Sequence, residues 1–144
     1  MTDSATAFLA GERPDDVAIY LSAAVVDDLE KLEGFGDRVD DGLLLIVDGE
    51  RGRRVFNTAA GVDAMAFAKQ AMGTEGEIHD ELIGGSCPER GENEDDHDTQ
   101  FVFAFAEEQN EEVGGLYAEG DVIHAYARCE CGTAYSEKWV AETR

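Results

Sequence analysis

The chain has 144 residues, of which 33 are Asp or Glu and only 11 are Lys or Arg, so its formal net charge is -22. Because self-repulsion at this charge opposes a compact state at ordinary ionic strength, the composition indicates a halophilic protein, adapted to molar salt. The same charge disfavours direct nucleic-acid binding, and the longest fully apolar run, residues 101–106, is too short to cross a membrane.

Aromatic residues and periodic apolar segments argue against intrinsic disorder, the other class of protein with so acidic a composition. The sequence contains seven Phe, four Tyr and one Trp, and its acidic residues are dispersed along the chain. The first residues show no basic region followed by an apolar core, so we expect no secretory signal and a cytoplasmic location. The sequence therefore predicts a single cytoplasmic domain over residues 1–144.

The first half of the chain begins with a segment that fits two interpretations. Residues 15–33 suit either a helix that begins at Pro14 or a strand at 17–21 followed by a helix at 27–33, and the second interpretation is favoured. The continuous apolar run at 43–47 has Asp-Gly on both sides and predicts a short buried strand.

Two helices are expected after this buried strand. The first covers residues 51–60 and ends at Gly61, and the second covers residues 63–72. Apolar residues recur at helical spacing in the second helix. Its predicted apolar face consists of Met65, Ala68 and Met72.

The second half of the chain begins with an acidic segment and continues with period-two patterns. Residues 84–99 carry six acidic residues and one basic residue without apolar periodicity, which predicts a flexible acidic loop. Four strands are then expected at 100–106, 113–118, 122–129 and 134–140, and the first is apolar on both faces, as in a central strand. The predicted fold class is α+β, with an α/β-like first half, an antiparallel four-strand meander in the second half, and one mixed sheet.

Three cysteines form the first candidate site. Cys129 and Cys131, followed by Gly132, resemble one half of a zinc ribbon, and Cys87 with the following Pro looks like the other half with one cysteine missing. We expect His97, in the acidic loop, to be the fourth ligand of a structural zinc. The other candidate ligands are His79, His124 and the carboxylates of the loop. The competing interpretation is that Cys129 packs as a small apolar residue in a strand and that Cys87 lies in the loop by chance.

An arginine cluster forms the second candidate site. Asp48, Arg51, Arg53 and Arg54 come directly after the predicted buried strand and begin the first predicted helix. Ligands of α/β sheets collect where strands end, and a helix N-terminus with guanidinium groups favours anions. These residues therefore predict a site for a phosphate or carboxylate. The simpler alternative, which is favoured, is that the arginines neutralise nearby acidic side chains on the surface.

Four segments, residues 11–18, 47–53, 67–76 and 103–117, together resemble a family of small proteins of halophilic archaea that is classified as a domain of unknown function. The resemblance covers most of the chain and implies a cytoplasm rich in potassium chloride. It implies no activity and no catalytic residues.

The function favoured by these observations is that of a non-enzymatic interaction or regulatory protein of a halophilic cytoplasm. Its expected partner is another protein, its surface binds solvent cations, and a structural zinc is one interpretation of its cysteines. The alternative function is that of a small-molecule enzyme or sensor, which would bind an anionic ligand at the turn of Arg51 to Arg54.

Overall fold

A computed structural model of the chain describes residues 7–8, 10, 15–22, 36–39, 42–61, 63–78, 85–87, 99–107, 112, 114–115, 118 and 120–141. These residues combine helices with antiparallel strands, so the predicted α+β class is confirmed. The elements in chain order are β1 (Asp16–Ser22), β2 (Gly36–Val39), β3 (Gly42–Asp48), α1 (Gly49–Ala60), α2 (Ala64–Ala71), β4 (Glu77–Ile78), β5 (Gly85–Ser86), β6 (Thr99–Glu107), β7 (Val122–Cys129) and β8 (Ala134–Val140).

The main sheet has six strands in the order β2-β3-β1-β6-β7-β8, and every neighbouring pair is antiparallel. A second, two-stranded antiparallel sheet joins β4 to β5. The parallel pairing expected of a mixed sheet is limited, among the described residues, to an isolated bridge between Glu75 and Ser136 of β8. A parallel pair needs a crossover connection that returns the chain in the same direction, whereas the chain re-enters this sheet at β6, antiparallel to β1.

The first two predicted strands are present, as β1 and β3, and the third, β6, lies in the interior of the sheet as predicted. β6 pairs with β1 on one side and with β7 on the other. Its alternate residues belong to different apolar clusters, since Phe101 and Phe103 face the helices while Val102 and Ala104 face the opposite side. Burial on both faces explains why this strand has no polar face.

The prediction of a strand at residues 113–118 is wrong. β6 pairs directly with β7, which leaves no place between them for another strand. Gly114 and Gly115 have φ angles of 79° and 58°, which lie in the left-handed region and interrupt an extended chain. Ala118 has a helical conformation. Among the residues that the structure describes, the meander of the second half therefore consists of β6, β7 and β8.

Both predicted helices are present: α1 begins two residues before the predicted residue 51 and ends before Gly61 as predicted, and α2 lies within the predicted 63–72. The Asp48 carboxylate accepts a hydrogen bond of 3.0 Å from the Arg51 backbone N–H and caps α1, and Gly61 ends this helix with a φ of 74°. The Asp63 carboxylate caps α2 in the same way, 3.0 Å from the Ala66 nitrogen. Both helices therefore start from an aspartate cap. Other parts of the chain also contact the first turns, since the Gly49 N–H donates to the Asp15 carbonyl at 3.1 Å and the Ala64 N–H donates to Asn57 Oδ1 at 2.7 Å.

The helices pack against one face of the main sheet around the buried Phe56 ring of α1. This ring stacks on Phe67 of α2 and makes edge contacts with Phe101 and Phe103 of β6. A side chain at Gly52 would collide with Val17, which shows how closely α1 approaches β1. The close approach and the aromatic contacts together fix the helix layer on the sheet.

The predicted apolar face of α2 is only partly correct. Ala68 is buried, but Met65 and Met72 are 46% and 64% exposed. The residues that turn to the sheet are Ala64, Phe67, Ala68 and Ala71. Because the alanine side chains are small, α2 lies close to the sheet, with Phe67 as the one large ring in the contact. The two methionines therefore lie at the edge of the contact between α2 and the sheet.

Two predicted segments lie largely outside the described residues. The helix predicted at 27–33 lies entirely outside the described residues. Of the acidic loop predicted at 84–99, the structure describes Gly85–Ser86, Cys87 and Thr99. Within the described part of the chain, no helix combines the length and the hydropathy needed to cross a membrane.

Candidate metal centre

The hairpin between β7 and β8 positions two of the three cysteines. The Cys129 N–H donates to the Thr133 carbonyl at 2.9 Å, and the Gly132 N–H donates to the Cys129 carbonyl at the same distance. Gly132 has a φ of 96°, which suits glycine and lets the chain reverse in three residues. Cys129 is thus the last residue of β7 and Cys131 lies within the turn. The connection expected between the strands at 122–129 and 134–140 is therefore a tight turn, with Cys129 at the end of the strand and Cys131 in the turn.

A separate segment of the chain supplies the third cysteine. The chain after α2 runs beside β8, where the Gly76 N–H donates to the Ser136 carbonyl at 3.0 Å and the Ser136 N–H donates to the Thr74 carbonyl at 2.9 Å. The Ile78 N–H of β4 then donates to Glu137 Oε1 at 2.8 Å. Because β5 pairs with β4, these contacts hold Cys87, the residue after β5, near the end of the β7–β8 hairpin.

The three sulfur atoms converge. The Sγ atoms of Cys87, Cys129 and Cys131 all lie within 4.8 Å of one another, and those of Cys87 and Cys131 are 3.8 Å apart. Two thiolates on one tetrahedral zinc at Zn–S distances near 2.3 Å would be about 3.8 Å apart, so this separation fits common ligation. All three cysteines are free thiols. The chemistry of this donor set therefore suits a soft metal ion.

The surroundings of the sulfurs differ in burial. Cys87 and Cys129 are 1% and 0% exposed, whereas Cys131 is exposed. Burial raises the pKa of the Cys129 thiol from 9.0 to about 12, because a thiolate there loses its hydration. Hydrogen bonds from Thr133, through its hydroxyl and its backbone, lower the pKa of the Cys131 thiol to about 6. Cys131 is thus the thiolate that is already formed at neutral pH, and Cys129 needs a cation beside it in order to ionise.

Thr133 is the residue of this centre that the sequence interpretation missed. Its Oγ1 lies 3.2 Å from Cys131 Sγ, within hydrogen-bonding distance. The sequence does contain a signal for it, because Thr133 directly follows Cys131-Gly132. A residue that closes a tight turn faces back toward the turn, so its hydroxyl is expected near Cys131.

The histidines that were considered as a fourth ligand divide into two groups. His97 and His79 lie outside the described residues. His124 lies on β7, and its Nε2 is 2.9 Å from Glu107 Oε2. Its ring stacks on Phe105, which packs in the helix-side cluster, whereas Cys129 belongs to the cluster on the opposite face. His124 is therefore not placed to join the three sulfurs.

The arginine turn shows local ion pairs. Arg51 Nε lies 3.7 Å from Asp48 Oδ2, three residues earlier, and Arg54 Nη2 lies 3.2 Å from Glu50 Oε1, four residues earlier. All four of these side chains are more than half exposed, and Arg53 is also exposed. The observed partners are thus the nearby acidic residues. Anion binding by Asp48, Arg51, Arg53 and Arg54 stays a prediction.

The chain belongs to a family of unknown function, DUF5807, whose profile matches residues 36–142. The match covers most of the chain and includes all three cysteines and the arginine turn, and it begins after the segment 11–18. The expected membership of a family without a known function is confirmed. No curated protein and no solved structure shows significant similarity to the chain.

Proposed function

We propose that this member of the DUF5807 family is a non-enzymatic interaction or regulatory protein of a halophilic cytoplasm, stabilised by a structural zinc at Cys87, Cys129 and Cys131. The observation that carries the zinc is the convergence of three sulfurs from two segments that are far apart in the chain. The acidic composition and the small number of lysines support the halophilic cytoplasm.

The arrangement of the sulfurs favours a structural metal. Structural zinc sites are closed, whereas catalytic sites keep a position open for water or substrate. Two of the three sulfurs are buried, and the exposed one, on Cys131, is hydrogen-bonded to Thr133. Because zinc ligands bind as thiolates, the ion also offsets the cost of ionising the buried Cys129.

The zinc would join two parts of the fold between which the described residues form no disulfide. Cys87 follows the small β4–β5 sheet, and Cys129 and Cys131 belong to the β7–β8 hairpin. Binding one ion to both would fix the small sheet on the end of the hairpin. We retain His97 as the proposed fourth ligand, because it lies ten residues after Cys87 in a segment that leads to β6.

Metal analysis of protein purified without chelator, in about 3 M potassium chloride, tests the proposal. We expect close to one zinc per chain in the wild type and a large loss of zinc in Cys131→Ser. Glu130→Gln is the matched control, since Glu130 lies between the two cysteines, is exposed and carries no sulfur. It should keep its zinc.

Two results would contradict the proposal. One is wild-type protein without zinc that also takes up none when zinc is added under reducing conditions. The other is a Cys131→Ser variant that binds zinc as tightly as the wild type, which would show that the metal lies elsewhere. The variant His97→Ala tests separately whether His97 is the fourth ligand, because its loss should weaken zinc binding without abolishing it.

A further inference from the structure

One of the three sulfurs in the candidate metal centre is open to reagents from solution. Cys131 is exposed, and so are its neighbours Glu130 and Gly132 in the turn. Cys87 and Cys129 are only 1% and 0% exposed. A small oxidant that diffuses in water therefore meets the sulfur of Cys131 before it meets the other two. Because oxidation of cysteine follows access to the sulfur, exposure selects Cys131 as the site of attack.

A second thiol lies in contact with this exposed sulfur. Cys87 Sγ is 3.8 Å from Cys131 Sγ. To form a disulfide with a length of about 2.05 Å, the two atoms would have to approach each other by less than about 2 Å. Because Cys131 lies in an exposed turn whereas Cys87 is buried, we expect the side chain of Cys131 to supply this movement.

The third thiol, on Cys129, is a poorer partner for Cys131, although its sulfur also lies within 4.8 Å. Cys129 and Cys131 are separated by a single residue, so a bond between them would close a very small ring inside the turn. The Cys129 N–H and carbonyl make the two 2.9 Å hydrogen bonds that set this turn. Short, stiff loops and distorted disulfides both store strain. Cys87 is 44 positions away in the chain and brings no such constraint.

We propose that Cys131 is an oxidation site for hydrogen peroxide and that Cys87 is its resolving thiol. In the first step the Cys131 sulfur attacks one peroxide oxygen, the O–O bond breaks, and the products are a sulfenic acid on Cys131 and one water. In the second step the Cys87 sulfur attacks the sulfenic sulfur, the S–O bond breaks, and a disulfide and a second water form. The two thiols together lose two electrons and two protons, and the peroxide is reduced to water.

The consequence for the metal rests on the structural zinc proposed above. A disulfide between Cys87 and Cys131 removes two sulfur ligands and leaves only the sulfur of Cys129, so the ion would be released. The disulfide would join the same two segments as the zinc, namely the chain after β5 and the β7–β8 hairpin. Oxidation would therefore exchange a metal link for a covalent link and keep the small β4–β5 sheet beside the hairpin.

Peptide mapping after oxidation tests the proposal. The folded wild-type protein, in about 3 M potassium chloride, is treated with hydrogen peroxide, and the remaining thiols are then blocked. A protease that cleaves after glutamate separates Cys129 from Cys131 at Glu130, so the linked pair can be identified. We expect a protein lighter by two hydrogens, with Cys87 linked to Cys131 and with Cys129 blocked. Dithiothreitol should restore all three thiols, as it does for a disulfide and not for a sulfinic acid.

Two variants establish the order of the steps. In Cys87→Ser the sulfenic acid has no resolving thiol, so we expect dimedone to label Cys131 in this variant far more than in the wild type. Cys129→Ser is the matched control, because it removes a thiol from the same cluster and keeps the reacting pair. The link between Cys87 and Cys131 should form in this control as it does in the wild type.

Zinc is measured separately, with a colorimetric indicator. In zinc-containing protein we expect release of the ion in proportion to the disulfide. The metal-free protein should form the same disulfide faster, because no ion holds its sulfurs. Protein without zinc would therefore contradict the structural zinc and leave the disulfide to be judged by the peptide map alone.

Three outcomes would overturn the proposal whatever the zinc content. The first is a sulfinic acid on Cys131 while Cys87 is still a thiol. The second is a disulfide that contains Cys129 in place of Cys87 or Cys131. The third is folded, metal-free protein that keeps all three thiols at peroxide concentrations that oxidise free cysteine.

Discussion

The turn that begins α1 and the turn that joins β7 to β8 both look like sites in the sequence, but the structure builds them differently. In the first, Asp48, Glu50, Arg51 and Arg54 contact residues three or four positions away, and their side chains point into solvent. In the second, Cys131 meets Cys87, which lies 44 positions away, and two of the three sulfurs are buried. Local spacing is sufficient for a cap and for surface ion pairs. A set of converging ligands also requires that distant segments fold against each other.

Lowering the salt should have the largest effect on both regions. From about 3 M to about 0.1 M potassium chloride, we expect a marked fall in the thermal midpoint, because screening of 22 excess negative charges is lost. Hydrogen exchange should show the contrast between the regions, with α1 amides losing protection before those of the β7–β8 hairpin, which the proposed zinc would hold in place. Equal midpoints at the two salt concentrations, measured by calorimetry, would contradict the prediction.

Removing zinc should distinguish the two regions most directly. A metal present at about 1,000 times its Kd stabilises the folded state by about 4 kcal/mol, so a chelator should lower the thermal midpoint of the wild type by about 10 °C. The same chelator should leave Cys131→Ser unchanged, because that variant has little zinc to lose. Calorimetry at fixed high salt measures both. If the wild type and the variant responded alike, the hairpin would not owe its stability to zinc.

Replacing Thr133 should alter the chemistry of the hairpin with little change in packing. In metal-free protein, alkylation of Cys131 by iodoacetamide should rise with pH around a midpoint near 6, since its lowered pKa makes the thiolate available above that pH. Thr133→Val removes the hydroxyl and keeps a similar shape, so the pKa and the midpoint should move up towards 9.0. Mass spectrometry of the labelled peptide gives the rates, and an unchanged midpoint would show that the hydroxyl does not stabilise the thiolate.

The smallest effects are expected at the arginine turn. Asp48→Ala removes the cap of α1 and should lower the free energy of unfolding by about 1 kcal/mol. Arg54→Ala removes only an exposed pair with Glu50 and should change it by less than about 0.5 kcal/mol. Denaturant unfolding at constant salt compares the two. A larger effect of Arg54→Ala than of Asp48→Ala would mean that the arginine does more than neutralise a neighbouring acid.

The accuracy of the sequence interpretation varies with the distance over which each signal acts. β1, β3 and both helices follow from apolar period, from the Asp-Gly pairs beside β3 and from Gly61, all of which operate within a few residues. The strand expected at 113–118 fails because alternation of apolar residues is a weak signal beside two consecutive glycines with positive φ. The exposure of Met65 and Met72 could not be predicted, because several faces of α2 carry apolar residues. Which of these faces is buried depends on how the helix packs against the sheet.

The acidic composition, the α+β class, the presence of both helices and the hairpin turn at Gly132 follow from the amino-acid sequence. These features depend on net charge and on backbone preferences that neighbouring residues set. The convergence of Cys87 with Cys129 and Cys131, and a cleft between α2 and the strands β6, β7 and β8, arise only in the folded chain. Such pairings depend on strand order and register, which are fixed by burial of both faces of the sheet as a whole and not by any one segment.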